Sequence, residues 1–280
     1  MSKPRPSASV LYYTLLRTCL FVVLLAAFPL AAIGAQEEDE DHDHEHLHFS
    51  HPMVTESPSP DTKVRLDYLV IRANDQTDLR ENVLRLEGEY AFTHSVSLAV
   101  VTPFTWRTAP PAERARGLGD IELSLKGASL VFGERGLLLG GGVSAGLPTG
   151  SDSKGIGSSH IVELEPFLDI GYKKRAFELV SFARLSSTFR RRPGEEAERN
   201  LAFDFSGLYR VQSRLETLLE LTTDRALVGA DSGRPRTFVA PGVKVYPFTN
   251  RKIMFGTSVE IGTGGASHSY VVLLSGFYHL

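Results

Sequence analysis

The sequence predicts an all-β protein, a transmembrane antiparallel up-and-down β-barrel of about twelve strands behind a disordered N-terminal segment. Three observations predict it. After residue 60 the chain passes through short segments in which apolar and polar residues alternate, the period of a strand with one apolar and one wet face. The connections alternate between tight turns and longer polar loops. Outer-membrane barrels show that asymmetry, and a soluble sandwich has no need of it. The chain also opens on an export-type leader.

In the leader, Lys3, Arg5 and Arg17 precede an apolar run from Leu20 to Ala32, and Ile33-Gly34-Ala35 places small residues before Gln36. Residues 1–35 therefore read as a signal peptide, with a retained anchor as the competing reading. The run is short and soon followed by acid, unlike a membrane span. The one cysteine, Cys19, lies in this leader, and Arg17 places a charge where a lipoprotein box wants small or apolar residues. Removal of the leader leaves no cysteine, so the exported chain has to hold together by backbone pairing and packing. A formal net charge of −3 gives no basic footprint for nucleic acid.

Residues 36–61 form an acidic, histidine-rich segment placed in the periplasm. His42, His44, His46, His48 and His51 alternate with carboxylates and supply nitrogen and oxygen ligands suited to Zn(II), Cu(II) or Ni(II). Two readings stand, transition-metal capture and a solvating acidic tail. The polarity of the tract, with Pro52, Pro58 and Pro60, predicts disorder.

From residue 62 to 280 the periodicity predicts strands near 63–72, 82–92, 95–106, 119–131, 136–147, 160–172, 176–189, 200–210, 214–225, 237–247, 252–262 and 269–280. Tight turns fall at Thr93-His94-Ser95, Gly133-Glu134-Arg135, Lys173-Lys174-Arg175, Gln212-Ser213 and Phe248-Thr249-Asn250-Arg251. The loops near 73–81, 107–118, 148–159, 190–199, 226–236 and 263–268 are longer and polar. Leu66, Tyr68, Leu86, Leu125, Leu164, Ile170, Leu179, Phe205, Leu219 and Val245 are placed outward, and Tyr90, Phe92, Tyr172, Phe177, Tyr209 and Tyr278 near the turn ends, as an interfacial girdle.

The alternate positions carry charge, which belongs in a wet lumen rather than in lipid. Glu87, Glu89, Glu122, Glu163, Glu165, Asp169, Arg184, Glu216 and Glu220 are the candidate lumen residues. Acids outnumber bases on this face, so an open path favours cations. The alternative is that the charges pair and fill the lumen, since a barrel of about twelve strands lies between filled and open sizes. The last strand alternates through Tyr270, Val272, Leu274 and Tyr278 to Leu280, whereas bacterial barrels commonly end in Phe or Trp.

Two stretches, Gly117-Leu118-Gly119-Asp120-Ile121-Glu122-Leu123-Ser124-Leu125-Lys126 and Gly146-Leu147-Pro148-Thr149-Gly150-Ser151-Asp152-Ser153-Lys154-Gly155-Ile156-Gly157-Ser158-Ser159, carry a resemblance. They resemble the outer-membrane, transporter-like family labelled "MetA-pathway of phenol degradation". The resemblance implies a Gram-negative outer-membrane barrel and a route for small, often hydrophobic compounds; the histidine tract is not part of its pattern. Physically, Pro148 and Gly150 end a strand at the rim, and the following loop is either a surface loop or an inward constriction.

The Ser-His neighbours at Ser158-Ser159-His160 and Ser267-His268-Ser269 lack a full nucleophile, base and orienting group, so no enzyme activity is expected. The Gly140-Gly141-Gly142 run has no following Lys-Ser/Thr and relieves crowding in a strand. The sequence thus predicts a porin-like channel for passive passage of small solutes, hydrophobic compounds or metal cations. The alternative is a non-conducting structural or metal-sequestering protein. No cofactor is required; the expected partners are outer-membrane lipid, the barrel-assembly machinery and the solute.

Overall fold

The structure, a computed structural model, describes residues 47–73, 79–109, 113–132, 135–189, 192, 197–228, 232–233, 235–264 and 269–280. The strands are β1 (Lys63–Ala73), β2 (Leu79–Thr93), β3 (Val96–Ala109), β4 (Glu113–Leu118), β5 (Ile121–Phe132), β6 (Leu137–Leu147), β7 (Val162–Lys174), β8 (Phe177–Phe189), β9 (Arg199–Gln212), β10 (Leu215–Val228), β11 (Pro235–Val245), β12 (Ile253–Gly264) and β13 (Ser269–His279). Apart from β4 and β5, which both pair with β3, consecutive strands pair antiparallel with one another. Closure comes from β1 on β13, in register from Lys63↔His279 to Ala73↔Ser269.

β4 and β5 together form one stave, so the closed barrel has 12 strands. Both pair with β3, β4 from Phe104↔Leu118 to Ala109↔Glu113 and β5 from Val96↔Gly127 to Val101↔Glu122. The break falls at Gly119-Asp120, opposite Pro103. Proline has no N–H to give the ladder, and the Gly119 N–H to Pro103 carbonyl bond, 2.9 Å, crosses the gap. Pro166 has the same effect in β7, where pairing to β8 skips from Leu164↔Ser187 to Phe167↔Arg184. The expected loop at 107–118 is therefore mostly strand. Its arginines and alanines continue the alternation with few large apolar residues, which is why the pattern reads as a loop.

The two faces separate as the period requires. Leu66, Leu86, Leu125, Leu168, Ile170, Leu179, Phe205 and Leu219 are exposed on the outside, with Tyr90, Phe92, Phe177 and Tyr278 near the short turns. The staves are 11 to 15 residues long apart from the broken one, enough to cross a bilayer hydrocarbon core when tilted. The Gly140–Gly142 run lies where the wall is crowded. A Cβ on Gly140 would meet the Gly127 carbonyl at 2.8 Å, and one on Gly142 the Phe167 ring at 2.5 Å.

One expectation is corrected. The described part of the N-terminal segment, from Leu47 to Asp61, is not a disordered linker: Phe49, Met53, Thr55, Ser57 and Ser59 are buried within the barrel. Its polarity does not prevent burial, because the barrel wall supplies polar partners for its backbone.

Candidate functional site: a plugged lumen

The inner face of the short-turn half is polar and buried. Lys63 bridges Glu87 (3.0 Å) and Glu89 (2.9 Å), and Lys126 also reaches Glu89 (3.5 Å). Arg65 and Arg85 share Asp67, with Arg65 Nε–Asp67 at 2.8 Å and Arg85 Nε–Asp67 at 2.9 Å. Glu216 collects Lys244 (2.8 Å), Tyr246 Oη (3.1 Å) and Arg251. Buried charges of this kind persist only when paired and hydrogen-bonded.

Residues 47–61 enter this frame as a plug. Glu220 on β10 is fully buried and accepts from three consecutive plug amides, Met53 (3.2 Å), Val54 (3.0 Å) and Thr55 (2.9 Å). Ser206 Oγ donates to the same carboxylate at 2.8 Å. Glu178 accepts from the Ser50 amide at 2.7 Å. Cationic side chains meet the carbonyls: Lys244 donates to His51 O (3.0 Å), Lys173 to His48 O (2.8 Å) and Arg65 to Met53 O. The proline-rich plug forms no strand, so its backbone groups depend on these wall partners.

Two plug side chains anchor it by packing. Phe49 lies on Gly171, where a Cβ would stand 2.6 Å from the ring, and Met53 lies on Gly256. Both belong to a small apolar core with Ala128, Leu138, Val180, Leu208, Leu218 and Leu273. Those wall residues occupy inward positions of their strands, where the alternation otherwise places charge. Apolar residues with lumen parity are the sequence signal for the plug, and the sequence reading, which followed only the charges, missed it.

At the short-turn mouth the plug meets the last strand. Asp61 accepts from His51 Nε2 (2.9 Å) and His279 Nδ1 (2.7 Å), and His48 Nε2 lies 3.8 Å away. Lys63 donates to His51 Nδ1 at 3.2 Å, which leaves the His51 proton on Nε2 for Asp61. Burial, with the Lys63 ammonium nearby, holds the His51 imidazole well below its ordinary 6.5. Burial pushes Asp61 up, but hydrogen bonds from His279 and His51 outweigh it and keep the carboxyl below its usual range. One ligand atom each from His48, Asp61 and His279 lie within 4.8 Å of one another. Of the predicted metal ligands, His48 and His51 are in this cluster and His42, His44 and His46 lie outside the described residues. The sequence reading does not single out Asp61, which closes the same segment ten residues after His51, or His279, which is distant in sequence and is brought to the cluster by barrel closure.

The predicted lumen residues divide between two levels. Glu87, Glu89, Asp169, Glu216 and Glu220 are buried in the short-turn half. Glu122, Glu163, Glu165 and Arg184 are half-buried nearer the long loops, where Arg184 approaches Asp204 at 3.4 Å. Above the plug, Phe167 and Phe182 stack at 4.9 Å on the inner wall.

The two stretches that carry the family resemblance meet at the long-loop rim. Asp120 accepts from the Gly150 and Ser158 amides, both at 2.8 Å, and Thr149 Oγ1 bridges the Gly119 carbonyl (3.0 Å) and the Ile121 amide (2.9 Å). Gly157 has φ +64° and passes so close that a Cβ would lie 2.7 Å from Asp120 Oδ1. Inward-facing Arg107 donates to the Gly155 carbonyl at 2.7 Å, tying the loop to the inner side of the rim. Ser159 and His160 both turn to Asp152, His160 Nδ1 at 3.0 Å, so this Ser-His pair braces a loop instead of pairing with each other.

No family model matches the chain, and no curated protein matches it. Solved structures do. An outer-membrane channel from Pseudomonas putida F1 is 15% identical with a TM-score of 0.59, over 87% of this chain and 100% of that one. The NanC porin is 8% identical with a TM-score of 0.53, over 78% of this chain and 100% of that one. The β domain of the Bordetella autotransporter BrkA is 10% identical with a TM-score of 0.50, over 79% and 99%. At these identities the likeness is one of fold: this chain has the barrel fold of outer-membrane channels.

Proposed function

We propose that the protein is an outer-membrane channel for passive passage of small solutes, closed at rest by its own N-terminal plug. The long loops face outward and the short turns and plug face the periplasm, the usual sidedness of such barrels. The plug is the observation that carries this reading. It is held by hydrogen bonds and two side-chain anchors, with no covalent tie to the wall beyond its continuity with β1. A space that has to be stoppered this way is a conduit. Above it, Glu122, Glu163, Glu165 and Glu260 line the inner wall, so the path selects for cations. Planar-bilayer recording tests this. The expected result is discrete, cation-selective conductance whose selectivity is lost when Glu163, Glu165 and Asp169 are changed together to glutamine. A barrel that inserts and stays silent, with or without its plug, overturns the channel and leaves a structural anchor.

A second reading concerns metal. The His48, Asp61 and His279 cluster favours transition-metal binding at the periplasmic mouth, fed by His42, His44 and His46 upstream. Zn(II) bound at about 2.1 Å wants ligand atoms about 3.4 Å apart. A modest contraction of the cluster, led by exposed His48, meets that requirement. His51 then orients Asp61 from behind. Calorimetry on the full chain with Zn(II), Cu(II) and Ni(II) is expected to show a site that is lost in a His48→Ser, His279→Ser variant. Undiminished uptake by that variant assigns any metal to the tail alone.

A further inference from the structure

The lipid-facing side of β1 to β4, at the long-loop end, carries a site that conduction does not use. The register stacks its outward residues in rows. Nearest the loops, Arg72 stands opposite Arg80, Arg80 opposite Thr108, and Thr108 opposite Arg114. The row beneath is Val70, Asn82, Trp106 and Arg116. Beneath that come Tyr68, Leu84, Phe104 and Leu118, and then Leu66, Leu86 and Thr102. Directly opposed residues share a face, and exposed Leu66, Tyr68, Leu84, Trp106 and Leu118 mark this one as the outside. Successive outward residues on a strand lie about 6.7 Å apart, so the surface passes from apolar to cationic within two rows.

A cavity of about 460 Å³ opens here, lined among others by Arg72, Arg80, Asn82, Trp106, Arg114 and Arg116. Arg72 and Arg80 stand directly opposite one another, so their side chains concentrate positive charge at this corner of the sheet. Among the described residues no ion pair reaches Arg72, Arg114 or Arg116. The Arg72 guanidinium is already aimed, donating to the Ile71 carbonyl (2.7 Å), the Glu81 carbonyl (3.0 Å) and Asn82 Oδ1 (3.2 Å). Trp106 packs edge-on against Phe104 at 4.7 Å, at the level where a membrane-interface tryptophan belongs.

We propose that this face binds the phosphorylated headgroup of an outer-leaflet glycolipid. The phosphates lie along the arginine row, where planar guanidinium groups pair with them bidentately. The acyl chains descend over Tyr68, Leu84, Phe104 and Leu118. Three inter-strand spacings make the row about 14 Å wide, room for a headgroup with two phosphates. A soluble anion makes no use of the apolar rows directly beneath the arginines, and an amphiphile uses both. The site does not depend on the barrel conducting.

The test is binding of bisphosphorylated lipid A to the purified full-length protein in detergent, read by native mass spectrometry. The dephosphorylated glycolipid and inorganic phosphate serve as comparison probes. The expected result is retention of the bisphosphorylated lipid by the unaltered protein. Retention should weaken about tenfold or more in the Arg72→Gln, Arg80→Gln, Arg114→Gln, Arg116→Gln variant, because bonds to a charged acceptor are lost. Heat-modifiable gel migration establishes that the variant is folded, and the Arg114→Gln, Arg116→Gln pair replaces it if it is not. Equal retention by the folded variant overturns the proposal. So does equal retention of the dephosphorylated lipid, which leaves only the apolar belt, and so does competition by inorganic phosphate at equal concentration, which makes the ligand a soluble anion.

Discussion

The two halves of the lumen solve the burial of charge in opposite ways. In the short-turn half, Lys63, Arg65, Lys126 and Lys244 are matched to Glu87, Glu89, Asp67 and Glu216, and the plug's amides occupy Glu220. In the long-loop half, Glu122, Glu163, Glu165 and Glu260 line a half-buried wall where, among the described residues, Arg184 is committed to Asp204. The first half is a compact interior filled by residues 47–61, and the second is a half-buried acidic wall. The same alternation of apolar and charged residues encodes both. What separates them is where apolar residues take inward positions, as Val180, Leu208, Leu218 and Leu273 do beside Phe49 and Met53.

Removing the filling is the most forceful way to break this contrast. Deletion of residues 47–61 is expected to hold the channel open and raise the mean current several-fold while the barrel keeps its heat-modifiable migration, since the β1–β13 seam lies outside the deletion. Unchanged current in bilayers places the barrier elsewhere. Glu220→Ala comes next. It strips the acceptor from three plug amides, at roughly 1–3 kcal/mol for each donor left buried without a partner. More frequent opening at unchanged open-state conductance is expected, and identical gating would make Glu220 irrelevant to seating. Gly171→Ala has a smaller effect, about 1–3 kcal/mol of overpacking against Phe49, read as faster proteolysis of the N-terminal segment.

Acid sharpens the contrast least. His51 is packed against Lys63, Asp61, His48 and His279, and stays neutral when seated because its imidazole is held well below 6.5. A released plug takes up that proton near 6.5, so seating is fully favoured above this pH and weakens as pH falls below it. The slope is at most about 1.4 kcal/mol per pH unit. In metal-free buffer, open probability should rise between pH 7 and 5, and His51→Phe should flatten that rise. A flat profile in the unaltered protein would show that His51 does not couple to seating.

The barrel is legible in the sequence because its signal is repeated: each stave restates the alternation, and each turn restates the asymmetry. Errors arise where one local rule stands alone. Glu113–Leu118 reads as a loop because arginine, alanine and glycine carry little apolar contrast, yet it pairs with β3 through its backbone. Residues 47–61 read as disordered because they are polar and proline-rich, but their partners, Glu178, Ser206, Glu220 and Lys244, lie more than a hundred residues downstream. The mouth cluster is half legible for the same reason: His48 and His51 stand in a visible tract, while His279 joins them only when the barrel closes.

The way the plug is gripped bears on how such chains diverge. The wall contacts it mainly through main-chain groups, the amides of Ser50, Met53, Val54 and Thr55 and the carbonyls of His48, His51 and Met53. Any residue presents those groups except proline, which lacks the amide. The stopper's other letters are thus free to drift across related genomes, the exceptions being Phe49, His51, Met53, Thr55 and Asp61, whose side chains meet the wall. The information that specifies it is stored in the barrel, in an acid at 220 and bare backbone at 171 and 256. A search for stoppered relatives does better by looking for those wall positions than for the segment they hold.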